Sequence, residues 1–411
     1  MSAADAATGG QQPVRPAAGP DQRVSRAPVT WLLGLMLTWG CCGSVLMLWP
    51  AVLRYPGAML VATVAFAVYA VPFLLFITDI DYLEPEPRWL MTVAFAWGGG
   101  VAMTAAVPGV AALTSLLAKA TSPEFAASWG AALAAPTIEE PVKLLGVVMI
   151  ALVAGREVNS IIDGLVYGAV VGLGFQVVED ITYAANAVDA YPGTDQLTPV
   201  LVTLFARGFV SGLWSHTVFT ALAGAGVAHV LVHRGRRPLW RRLGIAAICF
   251  AGAWICHFTW NSPLLTGGVG RLAELLIKGV PPLVLVLALT KTAGHREAEY
   301  YVRLLERLGD PRIASRDELV ALGSRAGRIH ARAAACRRAG WRPERLWLVG
   351  TAVRVHRAMH QLQRAQARLA VALSRTDADR HDHAGGPDSA LVRQARRDVL
   401  VARHRLIATG R

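Results

Sequence analysis

The sequence predicts an all-α fold: a polytopic membrane bundle of about eight transmembrane helices, followed by a C-terminal soluble helical region. Hydrophobic residues make up 54% of the 411 residues, charged residues make up 17%, and the mean hydropathy is +0.40. Soluble domains usually carry about 25% charged residues, so this composition excludes a disordered chain and argues against an ordinary soluble enzyme. Eight apolar runs reach the roughly 20 residues that a membrane-spanning helix needs.

These runs place the helices along the chain. The first 29 residues lack periodicity and are predicted to form a disordered N-terminal tail, and residues 30–291 form the predicted membrane domain. The apolar runs cover residues 31–53, 57–79, 89–117, 128–154, 160–187, 208–232, 243–262 and 271–290. The sixth is the least regular, because Thr198–Arg207 before it could approach the membrane surface or belong to the span.

Positive charge is concentrated at the C-terminal end. Residues 292–411 contain 24 arginines, no lysine and 12 acidic residues, so they carry +12 of the net charge of +13. This Arg-rich tail is predicted to be helical; its arginines could contact anionic lipid headgroups or simply form a solvated helix face. With a second basic cluster at Arg234–Arg242, the positive-inside rule places both termini in the cytoplasm. The predicted partner of this charge is therefore the cell membrane, not nucleic acid.

Ionisable residues inside the predicted spans are the first functional candidates, because each costs about 2.5–3.5 kcal/mol at the bilayer centre. The fourth run contains Glu139 and Glu140, followed by Lys143. The spacing of three and four residues lets the lysine ammonium reach either carboxylate on a helix. One carboxylate would suffice for a structural ion pair. Two carboxylates beside one ammonium can instead activate a water molecule and return its proton.

A stripe of small residues in the fifth run predicts that a neighbouring helix packs closely against it. Gly164, Gly168 and Gly172 recur at four-residue spacing, which brings them to one face. Glu179 lies two turns beyond Gly172 and projects from near this face, whereas Asp180 points about 100° away. A carboxylate at such a position needs a partner, so Glu179 is a further candidate site residue.

The sixth and seventh runs add two histidines. His216 belongs to a second stripe at four-residue spacing, with Gly208, Gly212, Thr220 and Gly224. A single intramembrane histidine is as often a hydrogen-bonded packing residue as a functional one. His257 and Asn261 lie one turn apart near the end of the seventh run and share a face. In the predicted topology, the ionisable groups of these four runs converge in the outer half of the membrane.

In this order the motifs resemble the PrsW family of bacterial intramembrane proteases. The resemblance covers residues 30–291 and rests on Glu139-Glu140-x-x-Lys143, Gly172-x-Gly174-Phe175-x-x-x-Glu179, His216-x-x-x-Thr220, His257-x-x-x-Asn261 and Asp81-x-x-Glu84-Pro85-Glu86-Pro87. PrsW proteases are similar to the superfamily of CAAX prenyl endopeptidases and bacteriocin-immunity proteins. The family often has asparagine where this chain has Asp180, and the Arg-rich tail is not part of the family core.

The resemblance implies an intramembrane endopeptidase that hydrolyses a membrane-anchored protein, and its best-known member makes the first cut in an anti-sigma factor. In the mechanism that the residues and the resemblance support together, Glu139 or Glu140 activates water and Lys143 orients the carboxylates. Asn261 or a protonated histidine would stabilise the oxyanion. The candidate catalytic residues are Glu139, Glu140, Lys143, Glu179, His216, His257 and Asn261.

Two alternatives stay open at this level. Family members are described as glutamic-type and as metalloproteases, so the cofactor is either none, which is slightly favoured, or a divalent metal such as zinc. Glu179, His216 and His257 would make a two-histidine, one-carboxylate metal set with water in the fourth position. The same buried groups could form the proton relay of a transporter or channel, or belong to a catalytically silent binding or immunity protein. The absence of corresponding halves in the sequence argues against a transporter.

Overall fold

A computed structural model of the chain describes residues 27–80, 82–155, 157–191, 193–210, 214–265, 270–341, 349–379 and 390–409. The predicted N-terminal tail lies outside these residues, apart from its last three, which belong to the first helix. The regular elements of the described residues are all helical, and no strand occurs among them. This confirms the predicted all-α fold.

Nine helices form the apolar part of the described chain, and four more follow it. The nine are α1 (Ala27–Arg54), α2 (Pro56–Ile80), α3 (Arg88–Ala120), α4 (Pro123–Val153), α5 (Ile161–Ala190), α6 (Leu197–Val210), α7 (Ser215–Val232), α8 (Leu239–Asn261) and α9 (Arg271–Glu306). The four are α10 (Arg316–Leu322), α11 (Arg325–Arg338), α12 (Val349–Asp379) and α13 (Ala390–Thr409). Helix α3 contains a π-helical turn at Trp97–Ala102, and α6 ends in one at Leu204–Val210.

Seven of the described helices are long and apolar enough to cross a membrane: α1, α2, α3, α5, α7, α8 and α9. They show that the chain is a multi-pass membrane protein. Helix α4, the predicted fourth span, has 31 residues, but Glu139, Glu140 and Lys143 make its middle more polar than that of the other seven. The irregular sixth run divides into two helices, the short α6 and the longer α7.

The small-residue stripes bring α5 and α7 into direct backbone contact, as predicted. A β-carbon at Gly164, Gly168 or Gly172 would lie within 2.4 Å of a carbonyl oxygen of α7. The carbonyl oxygens concerned belong to Gly224, Thr220 and His216. Of the predicted second stripe, Gly208 lies on α6 and not on α7, because the sixth run divides into two helices, and Gly212 lies outside the described residues. Because only glycine permits this approach, the stripe sets the distance between α5 and the histidine of α7.

Helix α5 is the central helix of the bundle. Its residues 162–177 are all buried. Helix α3 packs on another face, where a β-carbon at Gly98 would lie 1.9 Å from the Val171 carbonyl oxygen, and one at Gly174 would lie 2.1 Å from that of Phe95. Side chains that project from α5 are therefore enclosed by helices.

The described chain divides into two compact units. One contains residues 27–80 and Glu86–Thr290, and the other contains Tyr82–Pro85 and the described residues from Lys291 onward. In the second unit, the guanidinium groups of Arg328 and Arg364 both lie over the Tyr82 ring, with carbon-to-centroid distances of 4.3 and 4.4 Å. Glu84 accepts hydrogen bonds from the Tyr301 hydroxyl at 2.6 Å and from Arg375 at 3.0 Å. Glu84 and Pro85 of the predicted motif at positions 81–87 thus belong to the C-terminal unit, while Asp81 lies outside the described residues.

Candidate active site

Side chains from α4, α7 and α8 meet at one buried point beside α5. The potential ligand atoms of Glu139, Glu140, His216 and His257 all lie within 4.8 Å of one another. Each of these residues is 6% exposed or less. These four of the seven predicted site residues form what we call the Glu/His cluster, and two more, Lys143 and Glu179, contact it.

Two prolines and a tryptophan position the glutamate pair on α4. Pro136 and Pro141 flank the pair and remove two backbone hydrogen bonds, which locally loosens the helix. From the π-helical turn of α3, Trp97 donates its indole N–H to the Val142 carbonyl at 2.9 Å. Its ring occupies the space beside Gly146, where a β-carbon would lie 2.4 Å from the indole. The three glycines after Trp97 let α3 approach two other helices closely: Gly98 and Gly99 lie against α5, and Gly100 lies against α1.

Lys143 is the cation at the centre of the cluster. Its buried Nζ donates to Glu140 Oε1 at 2.7 Å and to Glu139 Oε2 at 3.2 Å, so it makes both contacts that its spacing allows. The same Nζ lies 2.9 Å from His216 Nδ1 and 4.2 Å from the ring centroid of Phe175. An ammonium only donates hydrogen bonds, so His216 Nδ1 accepts and the ring proton is on Nε2.

Glu139 faces both imidazoles across a small opening. Its Oε2 lies 3.9 Å from His216 Nδ1 and 3.9 Å from His257 Nε2, which is too far for hydrogen bonds. We call the space bordered by these three atoms the cluster opening. On the other side of its ring, His257 Nδ1 lies 2.8 Å from Glu140 Oε1. The second oxygen, Glu140 Oε2, is buried and has no hydrogen-bond partner among the described residues.

Glu179 lies next to the cluster but faces a different group. Its Oε2 accepts hydrogen bonds from His216 Nε2 at 3.1 Å and from Arg207 Nη2 at 2.5 Å. Arg207 Nε also donates to the carboxylate of Asp180. Arg207 was not among the predicted site residues, because Thr198–Arg207 had no assigned place. The sequence did contain one indication of its role: Arg207 is the one lysine or arginine between positions 157 and 233.

Asn261 is the one predicted residue that the structure directs elsewhere. It lies one turn after His257 on α8, as its spacing predicts, but its side-chain amide donates to the Ala131 carbonyl of α4 at 3.4 Å. The cluster opening therefore has two histidines and a glutamate at its border, and no amide.

The donor set at the opening fits a divalent ion such as zinc. Zinc binds histidine nitrogen and carboxylate oxygen at about 2.0–2.2 Å, so ligand atoms around a tetrahedral ion lie roughly 3.3–3.6 Å apart. The two 3.9 Å separations from Glu139 Oε2 come within a few tenths of an ångström of that range. His216 also has the outer-shell carboxylate typical of a metal-bound histidine, because its other nitrogen faces Glu179.

The charge balance of the site also favours a bound divalent cation. The acidic side chains are Glu139, Glu140, Glu179 and Asp180, and their ion-pair partners among the described lysines and arginines are Lys143 and Arg207. Two negative charges are then uncompensated if both histidines are neutral. The carboxylate at the opening is Glu139, whereas the carboxylate predicted for a metal set, Glu179, lies behind His216.

Residues 86–290 match the model of the PrsW family intramembrane metalloproteases. Neither a curated protein nor a solved structure matches the chain. The matched range includes every residue of the Glu/His cluster. It confirms the predicted resemblance to the PrsW family over residues 86–290 and the predicted enzyme class, an intramembrane protease. The family description and the buried glutamate and histidine donors both favour a metal-dependent enzyme, without indicating which metal.

Proposed function

We propose that this chain, whose residues 86–290 belong to the PrsW family, hydrolyses a membrane-anchored protein with a water molecule that Glu140 activates. The observation that carries this proposal is the environment of Glu140. Its Oε1 is held by Lys143 at 2.7 Å and by His257 at 2.8 Å, while its buried Oε2 has no partner among the described residues. A general base needs such an oriented carboxylate with a free acceptor oxygen.

Glu139 has a different proposed role, as a ligand. With His216 and His257 it borders the cluster opening, so these three residues would hold a divalent ion. When bound, the ion would act as a Lewis acid and polarise the scissile carbonyl. Glu140 would stand beside it as the base, an arrangement of two histidines, one glutamate ligand and one glutamate base.

The contact between Lys143 and His216 distinguishes a metal-dependent mechanism at this site from a metal-free one. His216 Nδ1 has one lone pair, which either accepts from Lys143 or binds an ion. In the metal-free version Lys143 keeps this contact and orients both glutamates. The oxyanion would then be stabilised by a protonated His257, or by Asn261 after its amide turns away from Ala131.

The topology that we propose has eight crossings and cytoplasmic termini. Tyr82 and Glu84 pack within the C-terminal unit, so the α2–α3 connection lies on the same side of the membrane as that unit. The chain must therefore cross an even number of times between residues 82 and 291. Five of the seven apolar helices lie there, and α4 supplies the sixth crossing. The five arginines at positions 234–242, in the short loop on this same side, support a cytoplasmic location for it.

This orientation puts the site closer to the outer face. Helices α5 and α8 then end outside, and Glu179 and His257 lie about 17 and 6 Å from those ends at 1.5 Å per residue. Glu139 lies near the middle of α4, about 24 Å from its outer end by the same rise. A single-pass substrate would be cut near the outer face and lose its ectodomain first. An anti-sigma factor is the substrate that the family resemblance suggests. The Arg-rich tail would be a cytoplasmic helical domain, in which Arg354, Arg357 and Arg405 line a cleft of about 350 Å³ that suits anionic lipid headgroups.

The experiment compares membrane-protein termini in cells that make the wild type, Glu140→Gln or Glu274→Gln. Glu274 is the matched control, because it forms a buried i,i+4 ion pair with Lys278 at 2.7 Å in the same unit but away from the cluster. We expect new termini, mapped by mass spectrometry, in wild type and Glu274→Gln and none in Glu140→Gln. Wild-type termini in Glu140→Gln would remove this glutamate from the mechanism.

A further inference from the structure

Arg207 connects the short helix α6 to α5 at the edge of the Glu/His cluster. Its guanidinium binds Glu179 and Asp180, and the guanidinium carbon lies 3.9 Å from the ring centroid of Tyr183. These partners occupy one turn of α5. A planar guanidinium can pair with two carboxylates while it stacks on a ring, and a lysine ammonium cannot. The side chain is 24% exposed, so it lies at the border of the buried site.

Glu179 transmits this anchoring to His216. One oxygen, Glu179 Oε2, accepts both from Arg207 and from His216 Nε2. Because Lys143 donates to Nδ1, the imidazole is neutral and its one proton faces Glu179. A carboxylate in this position determines which nitrogen of the ring carries the proton and how the ring is turned. The Nδ1 lone pair is thereby directed toward the cluster opening.

A second route leads from Arg207 to the start of α7. Asp180 also accepts from Gln176 Nε2 at 3.2 Å, and Gln176 Oε1 accepts from the Ser215 hydroxyl at 2.9 Å. Ser215 directly precedes His216. Both routes pass through carboxylates whose one lysine or arginine partner among the described ion pairs is Arg207. Without this cation, two adjacent buried carboxylates would lose their shared counter-charge, so they would move apart or one of them would take up a proton, and either change alters the contact with His216.

We infer that Arg207 is a positioning residue of this protease: through Glu179 it holds the His216 ring so that Nε2 faces Glu179 and Nδ1 faces Lys143 and the cluster opening. The inference rests on the proposed function of the cluster. Arg207 itself contacts neither the opening nor the oxygen of Glu140 that would take the proton. Its substitution should therefore disturb the histidine first and the chemistry only as a consequence.

The primary test needs no substrate. Protein labelled with ¹⁵N-histidine is studied by NMR in nanodiscs, and a His216→Ala sample identifies the His216 signals among the 11 histidines. We expect a protonated Nε2 in wild type. In Arg207→Met the ring should turn away from Lys143, whose ammonium keeps Nδ1 an acceptor, and a mixture of both tautomers should appear. Arg54→Met is the matched control, because Arg54 forms an exposed ion pair with Asp189 at 2.8 Å and should leave His216 unchanged. An unchanged His216 in Arg207→Met would overturn the inference.

Two further variants keep the test decisive if Arg207→Met does not fold. Arg207→Lys retains the charge but cannot bind both carboxylates, so it should give an intermediate tautomer mixture. Glu179→Gln should reproduce the change of Arg207→Met, and folded Arg207→Lys and Glu179→Gln proteins with a wild-type His216 would also overturn the inference.

With a tagged single-pass reporter that the wild type cuts, Arg207→Met should lower kcat by about 10–100-fold at unchanged KM. An active Glu140→Gln with a shifted His216 in Arg207→Met would refute the proposed function and retain the inference about the histidine.

Discussion

Replacing Gly172 by alanine should separate the position of His216 from the chemistry of the site. Gly172 is buried on α5 and has no polar side chain to lose. A β-carbon there would lie 2.2 Å from the carbonyl oxygen of His216 itself, and 2.9 Å from the α-carbon of Thr217. Both neighbours are backbone atoms of α7, so no side-chain rotation can relieve the overlap.

The size of the effect follows from these distances. Ordinary van der Waals contact begins at 3.4 Å, so α7 must move away from α5 by about 1.2 Å at this point. The same shift would stretch the hydrogen bond of His216 to Glu179 from 3.1 Å to more than 4 Å, which breaks it. A misplacement of about 1 Å at a catalytic group can cost roughly 100-fold in rate. Overpacking costs about 1–3 kcal/mol, but alanine regains about 1 kcal/mol in helix propensity, so the protein should still fold.

The assay is cleavage of a single-pass reporter, with thermal unfolding in detergent as the measure of stability. Gly244→Ala is the matched control, because Gly244 lies within α8 and a β-carbon there meets no atom within 4 Å. We expect Gly172→Ala to fold and to cut about 100-fold more slowly, and Gly244→Ala to cut normally. Equal rates in the two variants would refute the claim that the α5–α7 contact sets the histidine position.

Three more predictions follow from other parts of the chain. The first concerns topology and uses protein without its native cysteines, labelled in intact cells with a maleimide that cannot cross the membrane. A cysteine in place of Arg236 should be shielded from the reagent, and one in place of Asp195 should react; the reverse pattern would invert the topology. Lys143→Met frees the Nδ1 lone pair of His216, so zinc per chain, measured by plasma mass spectrometry, should rise above wild type; unchanged content would show that ammonium and ion do not compete. Tyr82→Ala should destabilise the C-terminal unit by about 3–5 kcal/mol, and Tyr82→Phe by about 1 kcal/mol or less. Limited proteolysis should therefore cut the alanine variant faster than the phenylalanine variant; equal rates for the two would mean that the Tyr82 ring, packed against two arginines, adds no stability.

Much of the site was predictable because helical spacing determines which side chains share a face. The separation of three and four residues was enough to place Lys143 against both glutamates of α4. The glycine stripe of α5 was enough to predict a close partner helix, and the matching stripe of α7 was enough to place His216 in that contact. These are local relations, and they hold whatever the rest of the bundle does.

The remaining features depend on tertiary packing that periodicity does not encode. Glu179 faces Arg207 because α6 is a separate short helix that packs on α5, and the hydropathy of the sixth run gave no boundary between α6 and α7. Asn261 shares a face with His257, but helix rotation alone does not say that its amide meets the Ala131 carbonyl first. The carboxylate of a metal set could not be chosen from sequence either, because Glu139 and Glu179 approach His216 from its two different nitrogens.

The polarity of α4 also bears on how inactive variants should be interpreted. Its glutamate pair and Lys143 would cost about 8–10 kcal/mol together if a lone helix carried them to the bilayer centre. The ion pairs of Lys143 with Glu139 and Glu140 offset part of this cost within α4 itself. Contacts with His257 of α8 and His216 of α7 offset more of it in the assembled bundle. Neutralising Glu140 removes one of the three charges and leaves Lys143 paired with Glu139 at 3.2 Å, so insertion of Glu140→Gln should be easier than that of wild type. Loss of cleavage in that variant would therefore report on the chemistry of the carboxylate and not on a helix that fails to enter the membrane.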